Sequence, residues 1–163
     1  MSKPVQLIVA CAENRVIGRA GRLPFDIPED KEWFHDRTAN QVVVLGRICF
    51  ETWPRVQLDG RKPVVLTSNR ALASDTVRVA GNVPDALAIA QELPGEIMVC
   101  GGQRIYEETL PLADRLLLTL VHATVEGDTY FPDWRHLAWK ETWKRTGADA
   151  NYRYTFSILD RAR

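Results

Sequence analysis

Short apolar segments alternate with helix-like segments along most of the chain. Four of the apolar runs are VQLIVACA (5–12), QVVVL (41–45), PVVLT (63–67) and EIMVC (96–100). They are shorter than typical helices and rich in β-branched residues, which favours strands. Continuous apolar runs are typical of strands that are buried on both faces, as in a parallel sheet covered by helices. This alternation constrains the chain to an α/β fold.

The segments between and after these runs complete the pattern. Helices are predicted at 28–38, 48–53, 83–93 and 103–110, and further strands at 76–80 and 115–123. The tail YRYTFSILD (152–160) alternates and is predicted to pair with about 138–146 as an antiparallel edge. We therefore predict one domain over 1–163, with a mixed, mostly parallel central β-sheet and flanking helices. Residues 13–27 form a long loop, and a loop of that length in a compact domain is usually functional.

Charge and cysteine content exclude several classes of protein. Basic and acidic side chains balance at 21 each, so we expect neither nucleic acid nor a membrane surface as a partner,. The apolar N-terminal run is interpreted as the first strand and not as a signal peptide. Cys11, Cys49 and Cys100 are far apart in apolar surroundings, which favours reduced thiols in a cytoplasm and no metal site.

Three predicted strands end in glycines, hydroxyls or arginines. The sequences that follow them are GRIC (46–49), TSNR (67–70) and GGQRIY (101–106). Ligands of open α/β sheets bind at the carboxyl ends of strands, where helix N-termini and nearby arginines favour phosphates. Each signal is weak alone, since most glycines after strands are simple turns. Together they predict a ligand with several phosphates.

An acid stands on the apolar side of the first predicted helix. In IPEDKEWF (27–34), Asp30 lies at helical spacing from Ile27, Trp33 and Phe34,. Acids in a first turn often only complement the helix dipole. The alternative is a buried catalytic carboxylate, but this stretch alone favours the helix-dipole interpretation.

Six motifs follow one another in a recognisable order: LPFDIPEDKEWF, VVVLGRICFETW, GRKPVVLTS, IMVCGGQRIYEETL, LLLT and VEGDTYFP. From Val5 to Leu159 the chain resembles dihydrofolate reductase of the bacterial chromosomal type. The resemblance implies a three-layer α/β/α fold and the NADPH-dependent reduction of dihydrofolate by hydride transfer to the pterin C=N bond. It also implies antifolate ligands such as trimethoprim or methotrexate, and a cytoplasmic monomer.

The resemblance implies that four residues take part in catalysis. Asp30 would grip the pterin ring and assist its protonation, with Thr119 as its hydroxyl partner. Leu23 would belong to the mobile loop over the nicotinamide. Phe25 stands where the family usually has a tryptophan that helps to hold an ordered water, and phenylalanine has no N–H for this purpose,.

The resemblance also implies two sets of binding residues. Arg61 would pair with the glutamate tail of folate, with Arg55 nearby. The full substrate set is Ile8, Asp30, Lys31, Phe34, Arg55, Arg61, Cys100 and Thr119. The cofactor set is Ala10, Ile17, Gly18, Leu23, Gly46, Arg47, Ile48, Cys49, Thr67, Ser68, Asn69, Arg70, Gly101, Gly102, Gln103, Arg104, Ile105 and Tyr106. Within it, residues 67–69 match the 2′-phosphate site, and the paired glycines match a pair joined by a cis peptide. Asp128 would brace the mobile loop.

Some positions depart from the family pattern, and two other functions stay open. Lys31 stands where an apolar residue is common, and Trp53 stands where a smaller aliphatic residue is common. Ile48 and Cys49 replace polar phosphate contacts, and Gly81 stands where a lysine is often present. These departures are expected to alter ligand affinities and not the reaction. A pyrimidine or pterin-precursor reductase of this fold would lack the PxD helix start and the tail arginine. A non-catalytic folate- or nucleotide-binding protein would lack the acid.

Overall fold

The computed structural model describes residues 2–162, so positions 1 and 163 of the predicted domain lie outside the described residues. Its strands are β1 (Val5–Ala12), β2 (Val16–Gly18), β3 (Val42–Gly46), β4 (Lys62–Leu66), β5 (Arg78–Ala80), β6 (Ile97–Gly101), β7 (Arg115–Val121), β8 (Thr129–Tyr130), β9 (Trp139–Ala148) and β10 (Arg153–Arg161). Its helices are α1 (Pro28–Thr38), α2 (Arg47–Glu51), α3 (Val83–Glu92) and α4 (Gln103–Thr109), with 3-10 turns at Arg70–Leu72 and Leu110–Leu112.

Eight strands form one sheet in the order β5-β4-β3-β6-β1-β7-β10-β9. The pairs from β5 to β7 are all parallel, and β10 pairs antiparallel with both β7 and β9. The prediction of a mixed, mostly parallel sheet is therefore confirmed. Glycines, hydroxyls or arginines follow three of these strands, namely β4, β3 and β6. These three strands are direct neighbours in the sheet. Their ends come level, with Gly46 opposite Leu66 and Leu45 opposite Gly101.

Helices cover both faces of the sheet because successive strand residues point to opposite sides. On β1, Leu7 belongs to the core under α3 and α4, and its neighbour Ile8 belongs to the core under α1. Trp33 of α1 packs into the core under this helix and is 7% exposed. These two cores give the expected three layers.

Several predicted boundaries were wrong by a few residues. The helix expected at 48–53 is α2, and the strand expected at 115–123 ends two residues early, where the Ala123 N–H bonds the Val121 carbonyl at 2.8 Å. Pro111 lies in a tighter 3-10 turn directly after α4. The loop at 13–27 contains a strand that the sequence analysis missed, since the three-residue β2 pairs with the two-residue β8. Strands of two or three residues are too short for a periodicity signal.

Among residues 2–162, no helix combines the length and apolar character needed to cross a membrane.

Candidate active site

A cleft of about 1080 Å³ opens at the carboxyl ends of β3, β4 and β6. One wall is α1, and the other is α2 with the residues that follow it. Most of the predicted site residues line this one cleft: Ile8, Ala10, Ile17, Gly18, Leu23, Asp30, Lys31, Phe34, Gly46, Arg47, Ile48, Cys49, Thr67, Ser68, Cys100, Gly101, Gly102, Gln103, Arg104, Ile105 and Tyr106. The shared edge of the parallel sheet thus brings together segments that are far apart in sequence.

Asp30 is the buried acid of the cleft. It lies in the first turn of α1, which begins at Pro28, and its backbone N–H bonds the Ile27 carbonyl at 3.0 Å. The residue is 7% exposed, and its carboxyl is hydrogen-bonded to the Thr119 side chain. Burial raises the pKa of Asp30 to about 6, because an apolar environment disfavours the carboxylate, and the Thr119 hydrogen bond opposes this rise,. The group can therefore hold or release a proton close to neutral pH.

Thr119 reaches Asp30 from beneath. It lies on β7 opposite Ala10 of β1, and it is 1% exposed. It does not line the cleft, so its action on a ligand would pass through the Asp30 carboxyl.

The paired glycines form the floor between the two ends of the cleft. The Gly101–Gly102 peptide is cis, as the resemblance implied, and Gly101 has φ +115°. A Cβ at Gly101 would lie 3.2–3.3 Å from ring atoms of Tyr106. Gly101 therefore requires glycine, whereas a Cβ at Gly102 would meet only Cys49 Sγ, at 3.7 Å,.

The arginines in the turns and helix starts that follow β3, β4 and β6 differ in position. Arg47 pairs with Glu51 at 2.7 Å and Arg104 with Glu108 at 3.6 Å, each one helical turn away, and both arginines line the cleft. Asn69 and Arg70 lie outside the lining: Asn69 caps the 3-10 turn by accepting from the Ala71 N–H at 3.1 Å, and Arg70 is exposed beside it. The hydroxyl residues Thr67 and Ser68 do face the cleft.

The loop over the cleft is tied to the segment before β8. The Asp128 carboxylate accepts from the Ala20 N–H at 2.9 Å, and the Asp128 N–H bonds the Gly18 carbonyl at 2.9 Å. Leu23 of this loop is 49% exposed, and Ile48 of α2 is 58% exposed, and both line the cleft. Two exposed apolar side chains at one opening are suited to an apolar or aromatic ligand surface.

The arginines assigned to the folate tail lie behind the cleft lining. The Arg61 side chain is 0% exposed, and its Nε donates to the Thr38 hydroxyl at 2.9 Å. Arg55 lies on an adjoining surface groove that it shares with Lys31 and His35. His35 has a lowered pKa, first because of burial and then because Arg61 and Arg55 lie close to it.

Phe25 also lies outside the cleft lining. Its side chain is 4% exposed and packs edge-on against Tyr152, with the ring centroids 6.1 Å apart.

Several lining residues were missed by the sequence analysis. His35 follows Lys31 by four residues on α1, so helical spacing could have identified it. Asn82 and Val83 follow the end of β5, where the rule on strand ends applies equally. The remaining missed positions are Val9, Gly21, Arg22, Leu45, Thr52, Leu66, Glu108 and Thr129, with Trp53 and Gly81 noted only as departures.

The thiols contribute little to the chemistry of the cleft. Burial raises the pKa of both Cys49 and Cys100, so their thiols are poor nucleophiles here,. Residues 2–162 contain no group of three or more His, Cys, Asp or Glu side chains that could hold a metal ion.

Comparison with known proteins gives one consistent family. A dihydrofolate reductase family model matches residues 4–161. The chain is 39% identical to the type 3 dihydrofolate reductase of Salmonella typhimurium, over 98% of this chain and 99% of that protein. It is 34% identical to dihydrofolate reductase of Buchnera aphidicola, over 96% and 99% of the two chains. A solved dihydrofolate reductase from Enterococcus faecalis, complexed with NADP(H) and RAB-propyl, has a TM-score of 0.86 and 33% identity, covering 98% of this chain and 97% of its own.

Proposed function

The chain belongs to the dihydrofolate reductase family, and we propose that it reduces dihydrofolate to tetrahydrofolate with NADPH, using Asp30 as its acid. The single observation that carries the proposal is the buried Asp30 carboxyl, whose pKa is raised to about 6. It lies in a cleft that is also lined by the segments after β3, β4 and β6, which are predicted to bind phosphates. This favours a functional acid over a purely structural one in the first turn of α1.

Asp30 binds and orients the substrate. A carboxylate accepts two parallel N–H donors in one plane, and a pterin ring presents two such donors on one edge. Because the site is buried, the carboxyl also retains a proton at higher pH than an exposed acid would,. We assign to it assistance in the protonation of the pterin nitrogen, with the Thr119 hydroxyl holding the carboxyl in place.

The other half of the cleft suits the cofactor. Gly46 and the paired glycines allow close approach of backbone N–H groups to a pyrophosphate. Thr67 and Ser68 supply hydroxyls, and Arg47 supplies a positive charge, for a ribose 2′-phosphate,. When bound, NADPH supplies the hydride, and the apolar lining excludes water from the reacting atoms.

We also propose that residues 1–163 act as one domain, monomeric and cytoplasmic, without a nucleic-acid or membrane partner. Three free cysteines and the balanced charge support this,. Sedimentation of the purified chain tests the oligomeric state.

One assay tests the main proposal. Purified chain mixed with NADPH and dihydrofolate should lose absorbance at the reduced-nicotinamide band, and Asp30→Asn should lower turnover at pH 7 by about 10²–10⁴. Part of the lost activity should return at low pH, where solvent protonates the substrate directly. An Asp30→Asn variant with the turnover of the wild type at pH 7 would refute the role of this acid. Binding of both ligands with no oxidation by the wild type would instead indicate a non-catalytic binding protein.

A further inference from the structure

Both arginines that the resemblance assigns to the folate tail already face one carboxylate of this chain. Oδ2 of Asp59 lies 3.2 Å from Nη1 of Arg61 and 3.6 Å from Nη2 of Arg55. An arginine pair around one carboxylate is also the arrangement expected for a bound anionic tail. Asp59 therefore already supplies both arginines with a carboxylate.

Arg61 also has other acceptors within the chain. Its Nη2 donates to the His35 carbonyl at 2.8 Å, and its Nη1 donates to the Leu58 carbonyl at 3.0 Å. With Thr38 on Nε and Asp59 on Nη1, all three guanidinium nitrogens have acceptors. The described contacts give Nη2 a single acceptor, so a second carboxylate could share the guanidinium with Asp59 but would meet its negative charge,.

An aromatic ring covers the same guanidinium. The Trp53 ring centroid lies 5.1 Å from Cζ of Arg61, and the ring also contacts Phe34, with 4.9 Å between centroids. Its indole nitrogen is buried without a hydrogen-bond partner among residues 2–162. Because Trp53 lines the cleft, it stands between the cleft and Arg61, whose side chain has no exposed surface.

We propose that Asp59 is a specificity-determining residue: its carboxylate competes with the anionic tail of a folate for Arg61 and Arg55, beneath the cover of Trp53. The proposal rests on the function proposed above. It implies that the enzyme discriminates little between substrates with and without a glutamate tail, because the Asp59 charge offsets the attraction of both arginines for the tail. The pterin end of the cleft, around Asp30, is unaffected.

The backbone at Asp59 allows a clean test. Asp59 has φ +57° and Gly60 has φ +71°, so the turn uses left-handed conformations. Asparagine and glycine both adopt this region readily. Asp59→Asn removes the charge and keeps the shape, and Asp59→Gly removes the side chain without straining the turn. Agreement between the two variants excludes a folding defect as the explanation.

The experiment compares kcat/KM for dihydrofolate with kcat/KM for dihydropteroate, which lacks the glutamate. In the wild type the ratio should be near unity. In both Asp59 variants it should rise about tenfold, the change expected from one charge-assisted hydrogen bond gained by the tail. Raising the salt concentration should lower the ratio in the variants more than in the wild type.

A matched control separates this effect from the loss of one negative charge anywhere in the groove. Asp36→Asn removes the same charge from the same surface groove, and it should leave the ratio unchanged, because no hydrogen bond or ion pair of Asp36 with either arginine occurs among the described contacts. A ratio that stays the same in both Asp59 variants, or that rises equally in Asp36→Asn, overturns the inference. Absence of turnover with either substrate in the wild type would instead refute the proposed function.

Discussion

The hydroxyl of Tyr106 donates a 2.7 Å hydrogen bond to the backbone carbonyl of Ile8. Tyr106 lies in α4, 4% exposed, and Ile8 lies in the middle of β1 beneath the cleft. The bond joins the turn after the paired glycines to the strand that carries the substrate side of the site. Two parts of the cleft that are 98 residues apart in sequence are thereby held in one geometry.

Tyr106→Phe should destabilise the fold by about 1–3 kcal/mol, because it leaves the buried Ile8 carbonyl without its donor. Urea unfolding followed by circular dichroism measures this loss. Tyr130→Phe is the control, since Tyr130 is 40% exposed and its hydroxyl makes only a 3.4 Å contact with the Gly127 carbonyl. The control should change stability by less than about 0.5 kcal/mol. Equal effects of the two substitutions would contradict the importance of the bond to Ile8.

Gly101→Ala should disrupt the site. Gly101 has φ +115°, and an added Cβ would approach the Tyr106 ring to 3.2 Å. We expect a loss of stability of about 1–3 kcal/mol and weaker cofactor binding, because the ring must move away from β1. Gly81→Ala is the matched control, since its Cβ would meet no atom within 4 Å. Thermal unfolding of both variants measures the loss of stability. A Gly101→Ala variant as stable as the wild type would contradict the close contact with the Tyr106 ring.

Asp30→Asn should stabilise the folded chain at neutral and alkaline pH while lowering activity. The folded-state pKa of Asp30 is raised from 3.8 to about 6, so its contribution to stability is fully present below pH 4 and is lost as the pH rises through 6,. The difference of roughly 2 pH units corresponds to about 3 kcal/mol at pH 8. Denaturant unfolding at pH 4 and pH 8 measures it. We expect nearly equal stabilities at pH 4, and a variant that is no more stable at pH 8 would disprove the raised pKa.

Arg47→Gln should reduce the preference for NADPH over NADH. Arg47 lines the cleft near Thr67 and Ser68, so removing its charge should lower kcat/KM for NADPH by about 10- to 100-fold with little change for NADH,. Arg70→Gln is the control, since Arg70 lies outside the lining and should have a small effect. If Arg70→Gln abolishes the preference and Arg47→Gln does not, the 2′-phosphate lies nearer the 3-10 turn.

Lys31→Leu should strengthen the binding of trimethoprim-like inhibitors by roughly 1 kcal/mol, with the KM for dihydrofolate little changed. Nζ of Lys31 pairs with Asp26 at 2.6 Å, so the ammonium is directed to solvent while the residue still lines the cleft. A leucine would give an inhibitor ring a firmer apolar wall. Glu32→Leu is the control, because Glu32 lies on the outer groove and not in the cleft. Unchanged inhibition constants in Lys31→Leu would mean that Lys31 is only a solvated helix residue.

The sequence by itself determined the local elements and the main chemistry. β1 and α1 have the predicted bounds, because an eight-residue apolar run and a Pro28 helix start are strong local signals,. The burial of Asp30 could be anticipated from its apolar neighbours at helical spacing. The order of motifs identified the paired glycines and most of the cleft lining.

Only the tertiary structure decided which of these side chains are available to a ligand. Arg61, Phe25 and Arg70 were assigned by position in the chain, and the fold covers the first, turns the second toward Tyr152 and leaves the third outside the cleft. Local periodicity reports which face of an element is apolar, but not which distant residue packs against it. Arg61 is covered because residues 35, 38, 53 and 59 converge on it from separate segments. Such convergence depends on the packing of the whole sheet and its helices, which no local pattern encodes.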